Sequence, residues 1–475
     1  MKKIFIIIAV TLFLSACTKD ITRFNEETKR ASSIPPGPLF SNAMKNMSDG
    51  LASAAVGTNI FRHFVKHWAQ AVIQDEAQFD YISRAVNDAW WARMYRDVLN
   101  DLNEASKIIS NDQTLNAAQK ANQLAIIEIM KVYSYNILVD TFGDIPYKEA
   151  LDDTKLFPVY DDAKTVYADL LKRLTESSQK LNPSGLGFTA SEDIVFQGSI
   201  PKWIKFANSL KIRMAMTIAD VDNATAKSNF ELADPLAMNA SSDIAEIKYM
   251  SAVPNNNPLY NQLVLANRTD FIASVDLMDV LNNLSDPRKP GFFGQNNVGQ
   301  YVGGVLGVGS DFAKMSKPSN RVAAPDASNV LMDYAEMEFY RAEAKERGYN
   351  VSGTAESHYN NAIRASIIYW GGTSANADTY LANPAVAYAT AAGDWKQKIG
   401  FQKWIALYNR PFEGWLEMRR LDYPKLSLPI NAVSGYPTRL RYPSSEQQLN
   451  GTNYTSAATK IGGDKTETKL FWDIH

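Results

Sequence analysis

The sequence predicts a mostly α protein: a superhelix of helix pairs with a loop-rich insertion and an irregular C-terminal segment. Three observations predict it. Apolar residues recur at three- and four-residue steps over long stretches, strand-like alternation is confined to short runs at 244–249 and 299–308, and breaker residues gather at 251–324 and 423–475. A chain of 475 residues has ample material for a core. Its 45% hydrophobic and 21% charged residues, with a mean hydropathy of -0.26, exclude a multi-span membrane protein and a disordered one.

Taken in order, Lys2 and Lys3 precede an apolar run over 4–14 that is too short to span a bilayer. The run ends in Leu14-Ser15-Ala16-Cys17, which resembles the lipobox of bacterial lipoproteins. Residues 1–16 are therefore expected to be a signal peptide, and Cys17 the acylated first residue of the mature chain. A plain signal peptide with a coincidental cysteine is the alternative. Cys17 is the only cysteine, so lipidation would leave no thiol for disulfides, thiolate catalysis or zinc-thiolate sites. Thr18-Lys19-Asp20 weakly resembles the charged signals that send some lipoproteins to the cell surface. Residues 17–38 read as a flexible lipidated tether ending in the breaker cluster at 32–38, and 39–475 as a single helical domain.

Within that domain, Ala89, Trp90, Met94, Val98, Leu102, Ala105 and Ile109 mark a helix over 87–110. Asn111-Asp112 breaks it before the pattern resumes over 115–139, which makes an antiparallel pair. Further pairs are drawn from 163–181 with 202–219, 330–348 with 355–370, and 395–408 with 412–421. Ala355, Tyr359 and Ala362 stand in an order that resembles the second helix of a tetratricopeptide unit, and Ala163, Tyr167 and Leu170 repeat part of it. The regular period of that repeat is not kept, so the expected superhelix is tetratricopeptide-like. The Pro-, Asn-, Gly- and Ser-rich insertion at 251–324 holds one helix near 271–283, and 423–475 is expected to pack over the helices as irregular chain.

Charge and motifs exclude most chemistries. Lys+Arg 49 against Asp+Glu 51, without a long basic run, excludes a nucleic-acid binder. His63 and His67 are spaced for one helix face, but no Glu follows His63 and no third His is near, so they read as structural histidines beside Trp68. No metal and no cofactor is expected. No GxSxG string supports serine hydrolysis. Gly303, Gly304, Gly307 and Gly309 lack the Lys-Ser/Thr of a phosphate-binding loop. Asp152-Asp153 and Asp161-Asp162 read as caps, with Asp161 or Asp162 capping the helix from Ala163.

What remains is aromatic: 9 Trp, 22 Tyr and 21 Phe. Planar rings stack on sugar faces and on peptide side chains and give contact area at low entropy cost. Phe79, Tyr81, Trp90, Tyr260, Phe292, Phe293 and Tyr301 lie in or beside the loop segments and are the candidate ligand-binding residues, with Trp91 next to them. Trp90 or Trp91, one of which faces inward, reads equally as core, as do Trp395, Trp404 and Trp415.

Four further strings carry a family resemblance. Phe142-Gly143-Asp144-Ile145-Pro146-Tyr147 follows the second helix, and Trp203, Phe206, Ala207, Asn208, Ser209, Leu210 and Arg213 pattern the fourth. Near the end stand Trp415-Leu416-Glu417-Met418-Arg419-Arg420 and Arg441-Tyr442-Pro443. With the lipobox, these resemble the SusD/RagB family of outer-membrane nutrient-binding lipoproteins over nearly the whole chain. The resemblance implies a non-catalytic lipoprotein at the outer face of the outer membrane. It would bind a nutrient, a glycan or oligosaccharide first of all, and pass it to a SusC-like TonB-dependent transporter. Its motifs read as fold markers: Gly143 and Pro146 shape a turn, and Arg419, Arg420 and Arg441 pin the C-terminal chain. The rival readings are a helix-repeat protein-interaction scaffold and a surface glycoside hydrolase.

Overall fold

A computed structural model describes residues 34–55, 59–81 and 86–475. The expected signal peptide, Cys17 and most of the tether lie outside these residues. The tether's last residues belong elsewhere than expected: Pro36, Gly37 and Pro38 open helix α1 (Pro36–Ala52). A proline ring fixes the backbone torsion that a first helical turn requires, and the missing N–H is one that turn leaves unpaired anyway. A cluster read as a breaker is thus a starter.

Helix α2 runs through Val86–Ala92, a π-helical stretch Arg93–Leu99 and Asn100–Asn111. Next come α3 (Ala117–Phe142), α4 (Ala163–Lys180), α5 (Ile200–Thr217) and α6 (Asn223–Ala233), and each packs on the one before it. The polar residues ahead of these helices act as read. Asn116 accepts from Gln119 N at 2.8 Å, and Asp162, not Asp161, caps α4 by accepting from Thr165 N at 2.9 Å. Beyond the insertion, which contributes α7 (Val275–Asn283), the second half holds α8 (Tyr334–Glu346), α9 (Ala355–Tyr369), α10 (Ser374–Leu381), α11 (Trp395–Ala406) and α12 (Pro411–Leu421). All four expected pairs form. The C-terminal segment is less irregular than its composition implies, since it contains α13 (Ser444–Leu449) and α14 (Gly451–Lys460).

Strands are short two-residue to four-residue ribbons: β1 (Trp68–Gln70) with β5 (Phe271–Ala273), β2 (Ile145–Pro146) with β3 (Tyr160–Asp161), and β4 (Ala245–Ile247) with β6 (Asn329–Met332), all antiparallel. The run at 299–308 contributes only an isolated bridge from Gly304 to Ser274.

The turn signature joins α3 to α4. Gly143 ends α3 at φ 86 and ψ -121, torsions that a side chain resists, and the Asp144 carboxylate accepts from Ala163 N at 2.8 Å at the start of α4. The β2/β3 ribbon closes the excursion between them. A Cβ at position 143 would also lie 3.2 Å from Leu470 Cδ2. Gly143→Ala is expected to cost about 1–3 kcal/mol in a urea unfolding titration; an unchanged midpoint would show that the turn relaxes freely.

The arginines of the closing motifs do different work from one another. Arg419 pins the C-terminal chain, donating from Nη1 to Thr438 O at 2.8 Å and to Asp140 O at 2.9 Å. Arg420 does not. It is buried among the helices, holding Glu343 at 2.6 Å through both nitrogens and Glu417 at 2.6 Å. Arg441 is half-exposed and 3.9 Å from Asp464, and the second pin is Arg439, which bonds Phe142 O at 3.1 Å and Asp464 at 2.6 Å.

Between the helix layers runs a ladder of buried ion pairs. Arg213 of α5 meets Glu336 of α8 through Nε at 2.7 Å and Nη2 at 2.9 Å, and Arg410 shares the same carboxylate. Glu413 lies 3.6 Å from Arg213 and accepts from Tyr133 Oη at 3.2 Å. A second run links Lys403 to Glu417 at 3.0 Å, then Arg420, Glu343, Arg347 at 2.7 Å and Asp220 at 2.8 Å. Burial pushes the Glu336 and Glu417 carboxyls up, but the surrounding cations outweigh it and hold each down at about 2.

Candidate ligand-binding site

Three loops far apart in sequence knit into one face. The β1/β5 ribbon sets its base, with buried Asp270 accepting from Val72 N at 2.9 Å, Ile73 N at 3.0 Å and Gln70 Nε2 at 2.9 Å, so the chain leaving β1 is held against the chain entering β5. The glycine-rich stretch then lies across it: Ser310 N donates to Ala71 O at 3.0 Å and Gln78 Nε2 to Gly307 O at 2.9 Å. Close approach explains the glycines. Gly307 has φ 87, and a Cβ there would fall 2.1 Å from Ile430 O. The segment at 428–434 completes the face, with Ile430 N bonding Leu306 O at 3.1 Å and Val433 N bonding Gln78 O at 2.8 Å.

Beside this face opens a cleft of about 550 Å³. Tyr81, Tyr454 and Val433 line it together with Ser434, Asp80 and Arg441, and the turn at 464–467 forms its far wall. Asp464 organises that wall by accepting from Tyr442 N at 3.0 Å, Tyr454 Oη at 3.2 Å and Arg439. Arg441 borders the cleft with its side chain 33% exposed and its Nε turned inward, 3.9 Å from Asp464, so the guanidinium contributes a cation to the cleft wall. Glu467 accepts from Gly435 N at 2.7 Å. Burial raises the Tyr81 and Tyr454 hydroxyls above their usual range, so both stay protonated donors at neutral pH. The cleft therefore offers ring faces, hydroxyls, carboxylates and one guanidinium, the mixture that a polyhydroxylated or amide-bearing ligand requires.

The seven candidate aromatics separate clearly in space. Phe79 and Tyr81 come together at the cleft, but Phe79 is only 1% exposed: its ring packs edge-on to Phe64 at 5.8 Å, and its backbone is turned at φ 63. Tyr81 is buried except where it borders the cleft. Trp90 is core, 5.3 Å from the Phe61 ring, and Trp91 is buried too, against Phe142 at 5.0 Å; both tryptophans face inward. Phe292 and Phe293 are fully buried around Tyr408, with Phe292 stacked on it at 4.0 Å and 14°. Their loop supplies a deep apolar anchor for the insertion, which consumes the rings and leaves no face for a ligand. Tyr301 and Tyr260 are half-exposed, Tyr301 with Lys289 Nζ 4.9 Å above its ring. Of the other tryptophans, Trp404 and Trp415 are buried and Trp395 is half-buried.

Sequence reasoning missed Tyr454, Asp464 and Glu467 because 423–475 read as packing. The aromatic and acidic residues spaced along α14 and the turn after it were the available signal. His63 and His67 are buried as expected; His67 Nε2 meets Trp404 O at 3.1 Å, and burial lowers the imidazole pKa values to about 4 and about 3. Among the described residues no group of three metal-ligating side chains forms.

A family model described as SusD-like, starch-binding and associating with the outer membrane, matches residues 28–443. This chain belongs to the SusD-like family. Solved SusD-like structures share the fold. A chitin-binding protein is 26% identical with a TM-score of 0.79, covering 93% of this chain and 100% of that one. A SusD homolog from Bacteroides uniformis is 26% identical at 0.75, covering 92% and 99%. A chitin-binding SusD homolog from Flavobacterium johnsoniae, 22% identical at 0.76 and covering 92% and 99%, matches in fold. No curated protein sequence matches the chain. Set against the SusD-like fold, the strings Phe142–Tyr147 and Trp203–Arg213 are internal structure, which agrees with their burial.

Proposed function

We propose that this SusD-like protein is a non-catalytic lipoprotein of the outer membrane's outer face. It captures a glycan in the cleft beside Tyr81, Tyr454 and Arg441 and delivers it to a SusC-like TonB-dependent transporter. The observation that carries the reading is the cleft itself, where ring faces border convergent donors and acceptors on a loop-built surface of a chain that belongs to a starch-binding family. The 26% identical chitin-binding relative supports an oligosaccharide of N-acetylated sugars as the ligand. The lipobox-like string that ends at Cys17 supports the location, and among the described residues no helix is long and apolar enough to cross a membrane. Transfer follows from tethering: the chain holds cargo over the transporter, and opening between the two proteins passes it inward.

Calorimetric titration of the purified protein with chito-, malto- and cello-oligosaccharides tests the reading, with product analysis on the same samples. Binding without new products is expected, with Tyr454→Ala and Arg441→Ala each weakening it about tenfold, the loss of one stacking or charge-assisted contact. New products would establish a glycoside hydrolase instead, and unaltered affinity in both variants would remove the cleft from the reading. In cells, deleting the transporter should abolish uptake and leave surface binding intact.

A further inference from the structure

The loop-knit face beside the cleft carries side chains that the cleft, apart from Val433, does not use. Val72, Val305, Val308, Leu428, Ile430 and Val433 are aliphatic, and each is between 40% and 67% exposed. Hydrogen bonds to the backbone hold them in one place. Ser310 N bonds Ala71 O at 3.0 Å, Ile430 N bonds Leu306 O at 3.1 Å, Val433 N bonds Gln78 O at 2.8 Å and Gln78 Nε2 reaches Gly307 O at 2.9 Å. Each of the six lies within two residues of one of these bonds. The loops are also empty of charge: no Asp, Glu, Lys or Arg occurs at 290–310 or 426–438, although the chain as a whole is 21% charged. Depletion of charge around exposed aliphatic side chains is the composition of an interface core, not of a solvated loop surface. The face runs into the cleft, since Val433 lines both.

Chemistry and size decide what covers it. A glycan stacks on rings, and none of the six side chains is aromatic. An anionic lipid surface is held by clustered basic residues, and these two loops have none. A second copy or a freely diffusing protein needs about 800 Å² per partner, whereas six half-exposed aliphatic side chains present on the order of half of that. A partner resident in the same membrane needs less, because shared anchoring raises its effective concentration and stands in for buried area. The 16 residues between Cys17 and Ile34 span at most about 60 Å, so an acyl group on Cys17 would keep the start of the helical domain within that distance of the membrane. We propose that this face is the docking surface for an outer-membrane protein that presents uncharged, apolar loops, with the cleft opening at the edge of the contact. The inference rests on the glycan-capture reading, in which that partner is the transporter, and extends it by assigning the contact to named residues.

Place the photoreactive residue p-benzoylphenylalanine at Val308 of the full chain in cells, and at the exposed Leu232 of α6 as the comparison. After irradiation, position 308 is expected to cross-link a TonB-dependent barrel protein, identified by mass spectrometry, at least tenfold more than position 232. Val308→Glu and Leu428→Lys carry opposite charges, so attraction to a charged partner cannot rescue both. Each should lower uptake of chito-oligosaccharides at least tenfold while leaving the melting temperature and the oligosaccharide affinity of the purified protein unchanged. Cross-linking to a second copy, to lipid or to a soluble protein, or equal yields at the two positions, would overturn the docking surface, as would normal uptake in both variants. Weakened oligosaccharide binding in either variant at an unchanged melting temperature would assign the face to the ligand site instead. If Val308 cross-links the barrel protein but the purified wild type binds no glycan, the docking surface stands and glycan capture falls; if glycan binds and the cross-link is absent, the reverse holds.

Discussion

Replacing Glu336 by Ala is expected to lower folding stability by about 3–5 kcal/mol. The carboxylate is buried and is the shared anion of Arg213 and Arg410. Its removal leaves two guanidinium groups in the helix core with the Leu331 carbonyl at 3.0 and 3.2 Å and only longer carboxylate contacts, Arg213 to Glu413 at 3.6 Å and Arg410 to Asp333 at 3.4 Å. The cost is that of stranding buried charge, which exceeds the net worth of the pair itself. For a domain of this length that corresponds to a fall of about 3–6 °C in melting temperature. Asp378→Ala, which breaks the exposed pair with Arg364, should move stability by less than about 1 kcal/mol and serves as the comparison. Equal shifts in the two variants would mean that the ladder is solvated in solution. Exchanging Arg213, Arg410, Glu336 and Glu413 together for apolar residues of similar volume should recover most of the loss, since no charge of this cluster is then left buried alone.

His67→Gln should flatten the acid limb of the stability profile. Burial drives this imidazole down to about 3 in the folded protein, against an ordinary 6.5. Below pH 6.5 the unfolded chain takes up a proton that the folded chain refuses, so stability present above 6.5 is lost as pH falls, by about 1.4 kcal/mol per pH unit. The difference between wild type and variant should therefore shrink as the medium is acidified, by roughly 3 kcal/mol between pH 6.5 and pH 4. His63, lowered to about 4, adds the same sign, while Asp140, pushed up to about 7 by burial, works in the opposite direction over the same range. Taking the difference between two proteins removes those shared contributions. Parallel stability curves from pH 8 to pH 4 would show that His67 is hydrated.

The helices were legible because their pattern is local. Three- and four-residue spacing marks α2 to α5, α8, α9, α11 and α12, and the cap at Asp162 follows from its place before Ala163. The opposite holds for the candidate site. Tyr81, Arg441 and Tyr454 share a cleft although hundreds of residues separate the first from the others, and nothing in the spacing of either segment reports the juxtaposition. Aromatic loops misled for a related reason. Phe292 is a loop residue by composition and a core residue by packing, because Tyr408 receives its ring from a distant helix end. Arg420 adjoins Arg419 in sequence, yet a helix turns successive side chains about 100° apart, so one faces the C-terminal chain and the other the ion ladder.

The clasp on the end of α3 carries a kinetic consequence. Trp472 Nε1 donates to Asp140 at 3.0 Å across 332 residues of chain, and Arg439 Nε reaches Phe142 O across 297. A ribosome-bound chain that has already made α3 cannot cover its end until about 300 further residues have been added. Such long-range closure slows folding, because the loop entropy is lost before the contact forms.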